Sequence, residues 1–141
     1  MKRDDEYYMQ LALKLALKAK GKTFPNPLVG ALVVKEDKIV GQGFHAKAGL
    51  AHAEIIALDQ AGNKAKKATL YVTLEPCAHT GKTPPCVNRI IQSGVKEVVV
   101  GMIDPNPLNN GKGIMLLKQS NIKVKVGVLA DQLGLINESF V

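Results

Sequence analysis

The chain reads as one α/β domain, a five-stranded mixed sheet, mostly parallel, with helices covering both faces. Three observations predict this. Two apolar runs, LVGALVV (28 to 34) and IVGQGFH (39 to 45), flank the polar turn EDK (36 to 38) and read as an antiparallel hairpin. Behind the hairpin, helix-like and strand-like patterns alternate three times, which calls for parallel strands joined by crossover helices. The 141 residues show no repeat, low-complexity tract or dividing linker, and their length suits a single core.

Taken in order, residues 4 to 20 place Tyr8, Leu11, Ala12, Leu15, Ala16 and Ala19 on one helical stripe with Lys14 and Lys18 opposite. Asp4 or Asp5 can cap this helix and Gly21 can end it. The Pro-rich turn TFPNP (23 to 27) leads into the hairpin. AHAEIIALDQAG (51 to 62) reads as a helix stopped by Gly62, and TLYVTL (69 to 74) as the third strand. In TPPCVNRIIQSG (83 to 94), Thr83 is a natural N-cap, Pro84 suits the first helical position and Gly94 terminates. KEVVVGM (96 to 102) is the fourth strand, followed by the turn DPNPLNNGKG (104 to 113), a helix over 113 to 120 and a last strand, IKVKVGVL (122 to 129). A short final helix begins at Asp131.

Composition narrows the function classes. Apolar residues make up 46% and charged residues 22%, the proportions of an ordinary globular domain. The apolar runs are too short to cross a bilayer, so no membrane partner is expected. MKRDDEYYMQ lacks the apolar centre of an export signal, which predicts a reducing cytoplasm and argues against a structural disulfide. The net charge is +7, but the lysines are scattered and three Tyr and three Phe are the only aromatics. That supply is poor for base stacking and tells against a nucleic-acid face; a small phosphorylated substrate suits the charge better.

In open α/β sheets, sites form where strand ends open into loops. The third strand runs into Glu75-Pro76-Cys77 and the fourth into Asp104-Pro105-Asn106, while His45 ends the second and Asn26 follows the first helix. Cys77 and Cys86 are the only cysteines. With one histidine they offer zinc three ligands of suitable softness and leave a fourth position for water, the catalytic pattern. Of His45, His52 and His79, His52 has the best case, because Glu54 follows it at a helix start. Two residues apart, they converge only if His52 precedes the helical backbone, which Gly49 and Ala51 permit. A carboxylate there can take a proton from water at the metal and hand it on. Cys86, near the start of its helix, gains from the unpaired N–H groups and the dipole, which favour a thiolate. Two thiolates weaken the metal's pull on its water, and Glu54 would supply the missing base. His79, two residues after Cys77, could instead close a structural site.

His52-Ala53-Glu54, Pro76-Cys77 and a later Cys resemble the zinc deaminase signature H-x-E…P-C-x-x-C, with eight residues rather than two between the cysteines. TFPNPLVGALVV, GFHAKAGLAHAE, YVTLEPCAHTGKTPPC and DPNP together resemble the riboflavin-biosynthesis pyrimidine deaminases, the diaminohydroxyphosphoribosylaminopyrimidine deaminases, over essentially the whole chain. That resemblance implies a three-layer α/β/α cytidine-deaminase-like fold and one zinc ion per chain, held by His52, Cys77 and Cys86, with Glu54 as proton shuttle. It implies that Asn26 and His45 line the pyrimidine pocket, and that Lys82, Asp104 and Asn106 face the ribose phosphate. The implied reaction removes the 2-amino group of 2,5-diamino-6-(5-phosphoribosylamino)pyrimidin-4(3H)-one. A homo-oligomer, dimer or tetramer, is implied as well. In bacterial relatives an NADPH-dependent reductase follows the deaminase. The expectation here is a single deaminase domain over 1 to 141, without that reductase and without a nicotinamide site, since no Gly-rich fingerprint is present. The competing readings are a zinc deaminase for another base, nucleoside or tRNA, and a zinc-stabilised binding module without catalysis.

Overall fold

The computed structural model of the chain describes residues 3–18, 28–44, 52–78, 86–105 and 107–129. Helix α1 (Asp5–Leu17) starts where the sequence predicts: Asp4 is extended, and its side chain accepts from the Tyr7 N–H at 2.9 Å. Strands β1 (Gly30–Lys35) and β2 (Lys38–Phe44) form the hairpin. Its turn is one residue shorter than predicted, with Glu36 and Asp37 both at positive φ, as the twist of a two-residue hairpin requires. Asp37 is held there by the Arg3 N–H at 3.1 Å and by the Tyr8 hydroxyl.

Helix α2 (Ala53–Ala61), a 3-10 turn (Gly62–Ala65) and β3 (Thr69–Leu74) follow, then α3 (Cys86–Ser93), β4 (Glu97–Met102), α4 (Lys112–Gln119) and β5 (Lys123–Val126). The 3-10 turn has no counterpart in the sequence reading, which stops the helix at Gly62 and leaves the next residues as a connection. β5 is half the length predicted. It lies at the edge of the sheet, where Lys123 and Lys125 discourage further pairing. The proposed final helix and the Gly21 stop lie outside the described residues.

The five strands form one sheet in the order β2-β1-β3-β4-β5. β3–β4 and β4–β5 are parallel, whereas β1 is antiparallel to both β2 and β3. The sheet is therefore evenly mixed rather than mostly parallel. The predicted crossover through α2 does exist and does join parallel strands, β2 to β3, but it passes over β1, which fills the gap between them.

Alternate strand residues divide the core into two layers. Ala31, Val33, Leu70, Val72, Val98 and Val100 pack with α2, α3 and α4, including Leu58, Ile90 and Leu117. Leu32, Val34, Tyr71 and Val99 face α1, against Tyr8, Met9, Ala12 and Leu15. Burial on both faces explains why these strands read as unbroken apolar runs. It also yields the three-layer α/β/α arrangement expected. α2 lies so close to β2 that a Cβ at Gly41 would overlap the Ala57 carbonyl oxygen.

Candidate active site

His52 has extended backbone (φ −73°, ψ 158°) and serves as the N-cap of α2, the non-helical entry the sequence required. Glu54 is the second residue of the helix and is buried. β3 delivers Glu75, Pro76 and Cys77 immediately beyond its last residue, and α3 presents Cys86 at its start. The ligand atoms of His52, Cys77 and Cys86 all lie within 4.8 Å of one another, with His52 Nδ1 3.0 Å from Cys86 Sγ. Both cysteines are free thiols.

These donors fit zinc. Nitrogen and sulfur atoms about 2.0–2.3 Å from a shared tetrahedral ion sit roughly 3.3–3.8 Å apart, a spacing within the 4.8 Å spread of this cluster, and one imidazole with two sulfurs is a donor set zinc favours. Calcium and magnesium, which require oxygen ligands, do not suit it.

The start of α3 also serves Cys77. The Cys86 N–H donates to Cys77 Sγ at 3.2 Å and the Val87 N–H to the Cys77 carbonyl at 3.2 Å. The Cys77 thiol is accordingly lowered to about 4, by hydrogen bonding from the Cys86 thiol first and then by His52 and the Cys86 N–H, against the opposing effect of burial. Cys86 is pushed up by the neighbouring Cys77 and by burial. His52 is raised, chiefly by Cys77 and further by Glu54, while burial opposes. Burial pushes the Glu54 carboxyl up to about 7, although its own N–H and the charge on His52 pull it down. A carboxyl poised near neutrality can both accept and release a proton.

Two residues of this region carry no role in the sequence reading. Glu75 is buried: its Oε1 accepts from the N–H groups of Asp104 (3.1 Å) and Gly111 (2.9 Å), and its Oε2 from that of Ile114 (3.2 Å). Asn109, wholly buried, accepts at Oδ1 from the Ala78 N–H and donates from Nδ2 to the Pro76 carbonyl and Asp104 Oδ2. An acidic residue at the end of an apolar strand was the only signal for Glu75. Asn109, in PLNNGKG, reads as an ordinary turn former. Asp104 is half-buried and joined to the Cys77 segment through both. Asn26, His45, His79, Lys82, Thr83 and Asn106 lie outside the described residues.

Residues 2–102 match the family model of the cytidine and deoxycytidylate deaminase zinc-binding region. The chain belongs to this deaminase family. Within it, the chain is 49% identical over 136 residues to the diaminohydroxyphosphoribosylamino-pyrimidine deaminase of Buchnera aphidicola, covering 96% of this chain and 92% of that protein. This places it on the riboflavin-biosynthesis branch of the deaminases. It is 61% identical over 136 residues to the riboflavin biosynthesis protein RibD of Aquifex aeolicus, covering 96% of this chain but only 38% of the relative. Among solved structures, RibD of Acinetobacter baumannii superposes with a TM-score of 0.93 at 50% identity, over 96% of this chain and 38% of that one. The deaminase thus spans under two fifths of those longer relatives. Among the described residues no helix is long and apolar enough to cross a membrane.

Proposed function

We propose that this deaminase converts 2,5-diamino-6-(5-phosphoribosylamino)pyrimidin-4(3H)-one to 5-amino-6-(5-phosphoribosylamino)uracil and ammonia, using one zinc ion per chain. The observation that carries the reading is the convergence of His52, Cys77 and Cys86 beside the buried carboxyl of Glu54. Zinc bound by those three side chains would supply Lewis acidity and acidify a water molecule. The chain's own part is proton transfer. Glu54 takes the first proton from the attacking water and delivers it to a ring nitrogen, then takes the second from the hydroxyl of the carbon adduct and passes it to the amine, which leaves as ammonia while the carbonyl forms. Its carboxyl, raised to about 7 by burial, is matched to giving as well as taking at neutral pH. Two thiolate ligands would lower the charge of the ion, so the proton transfers fall to the Glu54 carboxylate.

Asn26 and His45 are proposed to line the pyrimidine pocket, and Lys82, Asp104 and Asn106 to meet the phosphoribosyl arm. Within that group Lys82 is a point charge suited to a phosphate oxygen. Asp104, an acceptor, suits a ribose hydroxyl better. The 141 residues are read as one cytoplasmic deaminase domain with no nicotinamide site, working as a dimer or tetramer, which light scattering would test.

The deciding experiment is ammonia release from the phosphoribosylaminopyrimidine, run beside metal analysis and beside cytidine, deoxycytidylate and tRNA as competing substrates. Turnover of the riboflavin precursor with stoichiometric zinc is the expected result. Faster turnover of a nucleoside, nucleotide or tRNA would replace the substrate assignment, and zinc without any turnover would favour a binding module.

A further inference from the structure

We propose that Asn109 is a positioning residue for the metal centre, its side-chain amide gripping the backbone on both sides of Cys77 and linking it to the Asp104 turn. The proposal rests on the zinc-deaminase reading above. The β3–β4 ladder ends at Leu74 and Met102, followed by one last bond from the Glu75 N–H to the Met102 carbonyl at 2.9 Å. Cys77 thus lies beyond the sheet's own hydrogen bonds, and Pro76 has no N–H to extend them. Asn109 takes over that function. Its Oδ1 accepts from the Ala78 N–H at 2.9 Å and its Nδ2 donates to the Pro76 carbonyl at 3.0 Å, so one amide copies the donor–acceptor pair of a neighbouring strand around the intervening thiol.

A turn asparagine is ordinarily solvated, but Asn109 is 0% exposed with both ends of its amide engaged. Burial of this kind is costly unless every polar atom is satisfied, so the amide resists displacement. The turn holding it is itself fixed by Glu75, through the N–H groups of Asp104, Gly111 and Ile114. α4 backs so closely onto the segment that a Cβ at Gly113 would overlap the Pro76 carbonyl oxygen. From the opposite side, α3 donates to the Cys77 sulfur and carbonyl. Cys77 is therefore held between α3 and Asn109. Because Nδ2 also reaches Asp104 Oδ2 at 3.3 Å, the proposed sugar contact and the thiolate share one amide.

The test compares Asn109→Ala with Leu117→Ala, a change to a fully buried apolar residue of α4 that none of these hydrogen bonds involves. Three quantities are measured on the full chain: zinc affinity by competition with a chromophoric chelator, the visible spectrum of the cobalt(II)-loaded protein, and thermal melting. Asn109→Ala is expected to weaken zinc binding about 10- to 100-fold, the usual effect of removing a group that orients a ligand, and to shift the cobalt–thiolate bands. Leu117→Ala should lower the melting temperature at least as much and leave affinity and spectrum unchanged. Wild-type affinity and spectrum in Asn109→Ala, or equal losses in both variants, would overturn the proposal. If Asn109→Ala does not fold, Asn109→Asp keeps the shape and the acceptor but not the donors, and an unshifted cobalt spectrum in that folded variant overturns it equally. Failure of the unsubstituted protein to bind either metal would instead sink the deaminase reading, and this proposal with it.

Discussion

Glu54 and the two cysteines have separable tasks, and substitution should separate them. Glu54 is a buried carboxyl outside the His52, Cys77 and Cys86 cluster, so Glu54→Gln should remove the proposed proton shuttle while preserving shape and metal. Zinc content and melting should match the parent, with ammonia release down about 10²- to 10⁴-fold, the usual worth of general acid–base catalysis. Cys77→Ser should lose both the metal and the activity, measured by metal analysis of the purified protein. The side chains that cluster here were legible in the sequence because they are rare and chemically committed: an imidazole followed two places on by a carboxylate, and two thiols at element boundaries. Glu75 and Asn109 were not legible. Their partners lie 29 to 39 residues away for the one and at Pro76 and Ala78 for the other, and nothing local distinguishes a buried Asn from the common turn former.

At the level of elements, the placement of α2 decides whether His52 and Glu54 reach the sulfurs. β2 accommodates α2 through Gly41, where an added methyl group would collide with the Ala57 carbonyl, a backbone atom that cannot rotate away. Gly41→Ala is therefore expected to destabilise the fold by about 1–3 kcal/mol, as overpacking does, and to weaken zinc binding as well. Urea unfolding and chelator competition would measure the two effects. Strands and helices stood out in the sequence because burial on both faces gave continuous apolar runs and because caps such as Asp4 marked the ends. The order of the strands did not. Alternation shows that β2, α2 and β3 form a crossover, but no local pattern says that β1 occupies the place between the two strands. The 3-10 turn and the positive φ of Glu36 were equally hidden, since Glu does not advertise that conformation as Asp does.

Across the whole molecule, the first helix is tied to the last strand. Asp5 Oδ2 meets Lys125 Nζ at 2.8 Å and its Oδ1 accepts from the Tyr71 hydroxyl at 2.6 Å. Burial alone would raise the Asp5 carboxyl, but the bonds from Lys125 and Tyr71 outweigh it and hold it below the ordinary carboxylate range. A carboxyl depressed in the folded state contributes stability above its unfolded value, about 3.9, and loses that contribution as pH falls through the folded value. Asp5→Asn should thus cost about 1 kcal/mol at pH 7, or about 3 °C of melting temperature, with the difference shrinking as pH falls below about 3.9. Thermal melts across that range would show it. Metal removal acts on the same scale, because the ligands come from α2, α3 and the end of β3 and meet only in the folded chain. Zinc at a thousandfold excess over its Kd should stabilise the protein by about 4 kcal/mol, lost on addition of a chelator.

The bracing of Cys77 has a bearing on biosynthesis. The sulfurs and the imidazole are all polymerised by residue 86, but the groups that steady the Cys77 segment, the Asn109 amide and the N–H donors of Gly111 and Ile114, come more than twenty residues later. A nascent polypeptide halted between those points would possess all three proposed ligands and still lack the brace, so durable capture of the ion would await translation through Ile114.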